Sequence, residues 1–327
     1  MRTTKIIGIV AVSLIAFGCA RVNSESTETL ELEVPLQEYS FGSLRLYPLL
    51  ANDVFINNRR STGPYLTLSE AVRENKVVIS EHVAEPPGPA ENTEEGDFEG
   101  PIVNTLFVEN VSMDTVLVLG GEIVNGGNQD RMIAMDVMIP PYSGKIDLSV
   151  FCVEKGRWSG SQVFFTVGMQ SLSPAGIRSE AHELNDQKIV WDKVDVKMAE
   201  MDVQSPTGTI ADLMTDDDYQ KEVDTYVLHL KNVFDDRENV VGVIAVVGDK
   251  IIGCDIFATP ELLDTYFPNI LQSYSSEALS TDEKPSLEAA RIQVYLKEVT
   301  EKAKAEGFLR PEIHTANRRM RPHFSML

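Results

Sequence analysis

Histidine and cysteine are sparse in this chain, five and three residues in 327. No Cys-x-x-Cys pair occurs, which argues against a structural zinc ribbon. His182-Glu183 lacks the second histidine that a zincin helix needs. No Gly-x-Gly-x-x-Gly or Walker loop is present, so no motif implies a particular cofactor. Ser159-Gly160-Ser161 lacks the glycine frame of a nucleophile elbow. Basic charge is scarce as well. Twenty-nine Lys and Arg residues face 50 acidic ones, a formal charge of −21. That balance repels a phosphate backbone and argues against nucleic acid as a partner. A small phosphorylated or anionic ligand held by one or two local arginines remains compatible with it. No apolar run is long enough for a comfortable transmembrane helix.

Residues 1–19 read as a lipoprotein signal peptide. Arg2 and Lys5 form the positive end, residues 6–17 the apolar stretch, and Gly18-Cys19 the small residue and cysteine of a lipobox. The expectation is lipidation at Cys19, which would hold the chain to a membrane on the extracytoplasmic side of a bacterial cell envelope. Ordinary secretory cleavage after Gly18 or nearby, or a retained anchor, is the alternative. Residues 20–38 are polar and acidic and read as a flexible tether. Cys152 and Cys254 lie in apolar, strand-like contexts. Two buried free thiols are expected, with a disulfide as the alternative.

The pattern then reads as α+β. Strand signals cover 41–50, 77–80, 102–110, 115–119, 131–139, 145–153 and 162–167, joined by turn residues and short connections. This predicts an antiparallel, sandwich-like N-terminal half. Thr67 with Glu70 forms a capping-box signature for a short helix. Residues 81–100 read as an acidic surface loop. The second half reads as helix, β-hairpin, helix. Helices are predicted over 174–201, 216–233, 260–274 and 287–303, with strands at 240–247 and 250–257 around Gly248-Asp249. One domain is expected over 39–280, followed by a C-terminal helix and basic tail over 281–327.

The densest polar cluster lies between two apolar strand runs. It holds Glu122, Asn125, Asn128, Gln129, Asp130 and Arg131, with glycines at 120, 121, 126 and 127. Gly126-Gly127 permits positive φ, and amides exposed in such a loop can cradle an anion. Arg131 offers a bidentate grip on phosphate or carboxylate. Glu122 and Asp130 have the chemistry of an acid–base pair or of hard-metal ligands. The competing reading is an internal Glu–Arg or Asp–Arg pair that stabilises the loop. The segment 151–158 adds Glu154, Arg157 and Trp158. Trp158 can stack on a base or sugar, and Arg157 supplies a second positive charge. Packing at a strand end is the alternative for both.

Several pieces resemble the ARG and rhodanese-phosphatase-superfamily-associated protein domain, a family of unknown function. They are LRLYPLL, YLTLSEAV, LFVENVSMDTVLVLGGEIVNGGNQDRMIAMDVMIPP, FCVEKGRW, and VGVIAVVGDKIIGCDIFATPELLDTYFPNILQSYS, spread over about residues 40–280. The family's name refers to genomic neighbours, ADP-ribosylglycohydrolases and a rhodanese-phosphatase group. What the resemblance implies is a ligand containing ADP-ribose, a nucleotide or another phosphate ester.

Three functional classes follow. The first is an anchored ligand-binding protein, with Glu122, Arg131, Arg157 and Trp158 converging on one pocket. The second is a hydrolase of phosphoester or glycosidic bonds using Glu122 and Asp130 in one cleft. The third is a structural or interaction protein of the envelope.

Overall fold

The computed structural model describes residues 27–33, 39–81, 104–157, 165–169, 171–184, 186–309 and 321–327. The fold is α+β, with helices packed on predominantly antiparallel sheets. Cys19, Trp158 and nearly all of the acidic loop over 81–100 lie outside the described residues.

One six-stranded sheet is built on the hairpin Val240–Val247 and Lys250–Phe257. The first of these strands is apolar and buried at every position, which is the pattern of a central strand covered on both faces. Alternation divides it between two cores. Val243, Ala245 and Val247 pack with the helix Pro260–Ala278. Ile244 and Val246 pack with the helix Ala289–Ala305. Thr259 starts the first of these helices by capping Leu262 N, and Pro260 follows at the position where a missing amide costs nothing.

The strand beside Val240–Val247 is Leu44–Ala51, and the edge strand His323–Met326 pairs with Lys250–Phe257. Along the chain the expected order holds, a β-rich half and then helices, the β-hairpin and helices. In space, N-terminal and C-terminal strands share the sheet with the hairpin. The tether ends earlier than expected. Leu30–Leu32 pairs with Leu44–Ala51, and buried Glu28 meets buried Arg59 at 2.6 Å. The Arg59 guanidinium lies 3.8 Å over the Phe55 ring.

The second six-stranded sheet runs in the order Phe165–Thr166, Ile123–Gly126, Arg131–Ile133, Gly144–Cys152, Thr105–Asn110, Val77–Glu81. A three-stranded sheet of Val137–Ile139, Val116–Val118 and Leu66–Thr67 packs on it, with Leu106, Val108, Leu148, Val116 and Val118 in the shared core. This is the sandwich-like part of the expectation. The helix Leu68–Arg73 begins with the predicted capping box of Thr67 and Glu70.

Two predicted elements divide. The strand expected over 131–139 becomes Arg131–Ile133 and Val137–Ile139, which belong to different sheets. At the corner Ala134 N bonds to Ser149 O at 3.0 Å, and the Asp136 carboxylate accepts from Gly120 N at 2.9 Å. The helix expected over 174–201 becomes Ala175–Leu184 and Gln187–Glu200, the second capped by Asp186. Cys152 and Cys254 are both buried, and no disulfide joins them.

Candidate functional site

The Gly126–Arg131 loop closes the hairpin of Ile123–Gly126 and Arg131–Ile133. Gly127 has φ +53°, and a Cβ there would lie 2.3 Å from the Phe165 ring. Three of the loop amides, those of Gly126, Asn128 and Asp130, are already committed. Gly126 N donates to Asp130 Oδ1 at 2.9 Å, and Asn128 N donates to Glu81 Oε1 at 2.6 Å. The expected anion cradle is thus turned onto the chain's own carboxylates.

Arg157 ties the loop together. It lies 2.7 Å from Glu154 and 3.1 Å from Asp130, and donates to Gly127 O at 2.8 Å. Asp130 N donates to Glu154 at 2.9 Å, and Thr209 Oγ1 to Asp130 at 2.7 Å. Burial raises the Asp130 carboxyl above its ordinary pKa, with Thr209 and Gly126 opposing. Burial also works against Glu154, but hydrogen bonds from Arg157, the Asp130 amide and Thr207, with the charge of Arg157, together hold that carboxyl low. An internal acid–arginine pair is what forms here, and the arginine is Arg157 rather than Arg131.

Arg131 points elsewhere. It is buried, and its contacts are Gln129 Oε1 at 3.3 Å and Asp130 O at 3.4 Å. Its Nε has no hydrogen-bond partner among the described residues. Gln129 in turn donates to Glu154 O at 2.8 Å.

Glu122 sits at the other end of the hairpin. It precedes Ile123, while Asp130 lies beyond the Val124–Arg131 pair. Three residue steps along a strand span about 10 Å. Among the described residues the two carboxylates share no hydrogen-bond partner, and they stand toward opposite ends of the hairpin. Glu122 accepts from Leu119 N at 2.8 Å and Ser171 Oγ at 3.1 Å. Burial drives its carboxyl up to about 7, against those two hydrogen bonds.

Behind Glu122 lies a buried charge network that sequence reading missed. Asp136 Oδ2 meets His323 Nδ1 at 2.7 Å, and His323 Nε2 meets Asp255 Oδ1 at 3.0 Å. Asp255 also accepts from Arg178 Nη2 at 2.8 Å and from Tyr274 Oη at 2.5 Å. Desolvation alone would lower the imidazole pKa, but the two carboxylates push it up to about 9. His323 is therefore an imidazolium with both N–H groups occupied, unable to act as a base at neutral pH. Desolvation opposes the charge on Asp255, yet Arg178 and His323 hold its carboxyl far below the usual range.

This network forms part of the wall of a cavity of about 100 Å³. Gly120, Gly121, Asp136 and Arg178 line it, with Glu306 and Arg321 also on its wall. Gly121 has φ +94°, and a Cβ there would lie 2.4 Å from Arg178 Cγ and 3.2 Å from its Nε. Glycine thus leaves room for the Arg178 side chain, which packs directly against this position. Arg178 is 2% exposed, and its Nε has no hydrogen-bond partner among the described residues. Asp136 keeps 24% of its side chain exposed. Arg321 and Glu306 pair at 2.9 Å on the partly exposed side.

The predicted residues therefore fall into separate places. Asp130, Glu154 and Arg157 form a knot, with Gln129 and Asn128 attached to its frame. Arg131 and Glu122 are buried apart from the knot's ion pairs. A family model described as the ARG and Rhodanese-Phosphatase-superfamily-associated Protein domain matches residues 33–325. The chain belongs to that family. The family match runs beyond 280 and includes His323, so the C-terminal segment is part of the ARG and Rhodanese-Phosphatase-superfamily-associated domain rather than an appended tail. No curated protein and no solved structure matches the chain. One signal for the missed network was present in the sequence. Asp255 interrupts an apolar strand, and a buried acid requires a partner.

Proposed function

We propose that this chain is a lipid-anchored protein of the bacterial cell envelope that binds a small molecule through an anionic group. Cys19 would carry the anchor, and the folded part would stand on the extracytoplasmic side. The observation that carries the binding reading is a cavity with two guanidinium groups, Arg178 and Arg321, on its wall. A ligand carboxylate or phosphate would be drawn to that positive charge. Binding is favoured over turnover because the nearby charged groups are committed to one another. His323 has no free ring nitrogen, and Asp255 already holds three donors.

The cavity is small for a whole nucleotide, since pockets for drug-sized ligands run to roughly 300 Å³ or more. A carboxylate or a single phosphate group is of the right scale. No helix of the described residues is long and apolar enough to cross a membrane.

The test is a thermal-shift screen of the full chain in detergent against nucleotides, ADP-ribose, sugar phosphates, inorganic phosphate, amino acids and divalent ions. Ser325→Leu and Ala134→Leu would run beside the wild type, since both residues line the cavity. A saturable shift in the wild type and its loss in both folded variants is the expected result. No shift with any compound would favour an envelope interaction protein instead.

A further inference from the structure

The charge pattern of the cavity narrows the ligand further, on the reading that the cavity is a binding site. Its wall alternates in sign. Arg178 and Asp136 line it together with Arg321 and Glu306, two guanidinium groups and two carboxylates. A polyanion would meet Arg178 favourably but would be set against Asp136 and Glu306 in a confined space. A simple cation would face the same difficulty with Arg178 and Arg321. Like charges juxtaposed across a binding surface select against such partners.

We infer that the cavity takes a small zwitterion, a free α-amino acid with a short side chain, held through its carboxylate by Arg178 and through its ammonium by Asp136. Arg178 lines the cavity with its guanidinium group. Its Nη2 donates to Asp255 at 2.8 Å and its Nη1 to Ser273 at 3.3 Å, which fixes the guanidinium plane, and each Nη carries a second N–H for a carboxylate. Asp136 accepts from Gly120 N through one oxygen and from His323 through the other. Each carboxylate oxygen has a second lone-pair site, so an ammonium can still be received. Ala134, Met135 and Leu327 supply the apolar part of the wall, against which a short alkyl side chain would rest. The cavity of about 100 Å³ matches a molecule of this size better than a nucleotide. The Arg321–Glu306 pair presents one charge of each sign and can exchange its internal contact for the ligand's two charged ends.

Calorimetric titration of the full chain in detergent tests this. The probes are glycine, alanine and serine, with acetate and methylamine as the two halves of the zwitterion, and with inorganic phosphate and AMP as anions. The expected result is saturable binding of at least one amino acid, about tenfold or more tighter than either half alone, because each half forfeits one charged contact. Binding should vanish in Ser325→Leu and Ala134→Leu while their melting temperatures stay close to that of the wild type. Acetate, phosphate or AMP binding as tightly as the amino acids would overturn the zwitterion inference and leave the cavity as an anion site. Methylamine binding as tightly would overturn it from the other side. Amino-acid binding unchanged in both blocked variants would overturn the placement in this cavity. No binding by any probe would overturn the inference and the binding function together.

Discussion

His323 and Asp136, 187 positions apart in the chain, meet at 2.7 Å inside the protein. Asp136 stands at the corner where the chain passes from one sandwich sheet to the other, and His323 lies on the edge strand of the helix-covered sheet. Their contact, continued to Asp255 and Arg178, links the two sheet systems and supports the cavity wall.

Removing the imidazole should be expensive. His323→Ala would leave Asp136 without its cation and Asp255 with one cation fewer. Breaking a buried pair of this kind costs about 3–5 kcal/mol. Urea unfolding of the variant against the wild type measures the loss. A loss below about 1 kcal/mol would mean that the imidazole is not charged in the folded state.

The pH dependence has a definite sign. His323 has its folded pKa raised from 6.5 to about 9. The contribution of the imidazolium is thus complete below about 6.5 and is lost as pH rises through about 9. Glu122 has its folded pKa raised from 4.5 to about 7. Ionising it is harder in the folded protein, so stability falls as pH rises from about 4.5 to 7 and then levels. Asp136, Asp255 and Glu154 have lowered folded values and act oppositely, giving stability that is lost under acid. Unfolding measured from pH 3 to 10 should show an acid arm and then a decline that continues into alkali. Glu122→Gln should flatten the slope between about pH 4.5 and 7 without changing the decline toward pH 9.

Arg157→Ala should destabilise by about 2 kcal/mol, because Asp130 and Glu154 would lose their shared cation. Ligand affinity should stay within about twofold of wild type, since the knot and the cavity are separate. Chemical denaturation and titration of one preparation check both halves. Lost affinity in a stably folded Arg157→Ala would place the ligand at the loop after all.

Gly121→Ala tests the space beside Arg178. The residue has φ +94°, and the added methyl would lie 2.4 Å from Arg178 Cγ. Backbone strain of about 1–3 kcal/mol is expected, together with displacement of Arg178. The melting temperature should fall and binding should be lost.

Much of the fold was legible because it is written locally. The apolar run at Val240–Val247, the Thr67–Glu70 capping box and the Gly248 turn are each decided within a few residues. The chain path between sheets was not legible. Arg131–Ile133 and Val137–Ile139 read as one strand because both halves are apolar, and the break depends on Ser149 and Gly120, remote in sequence. The polar loop drew attention for a real reason, since its charges are buried and paired. Asp130, Glu154 and Arg157 satisfy one another, however, which local spacing does not reveal. Gly120-Gly121 was singled out with the loop, but its role depends on Arg178, and no local pattern ties the two together.

The most direct test of the central claim is titration of wild type and Ser325→Leu with a small amino acid. The account predicts saturable one-to-one binding to the wild type and none to the folded variant. Equal binding by the two proteins, or none by the wild type against every probe, would contradict it.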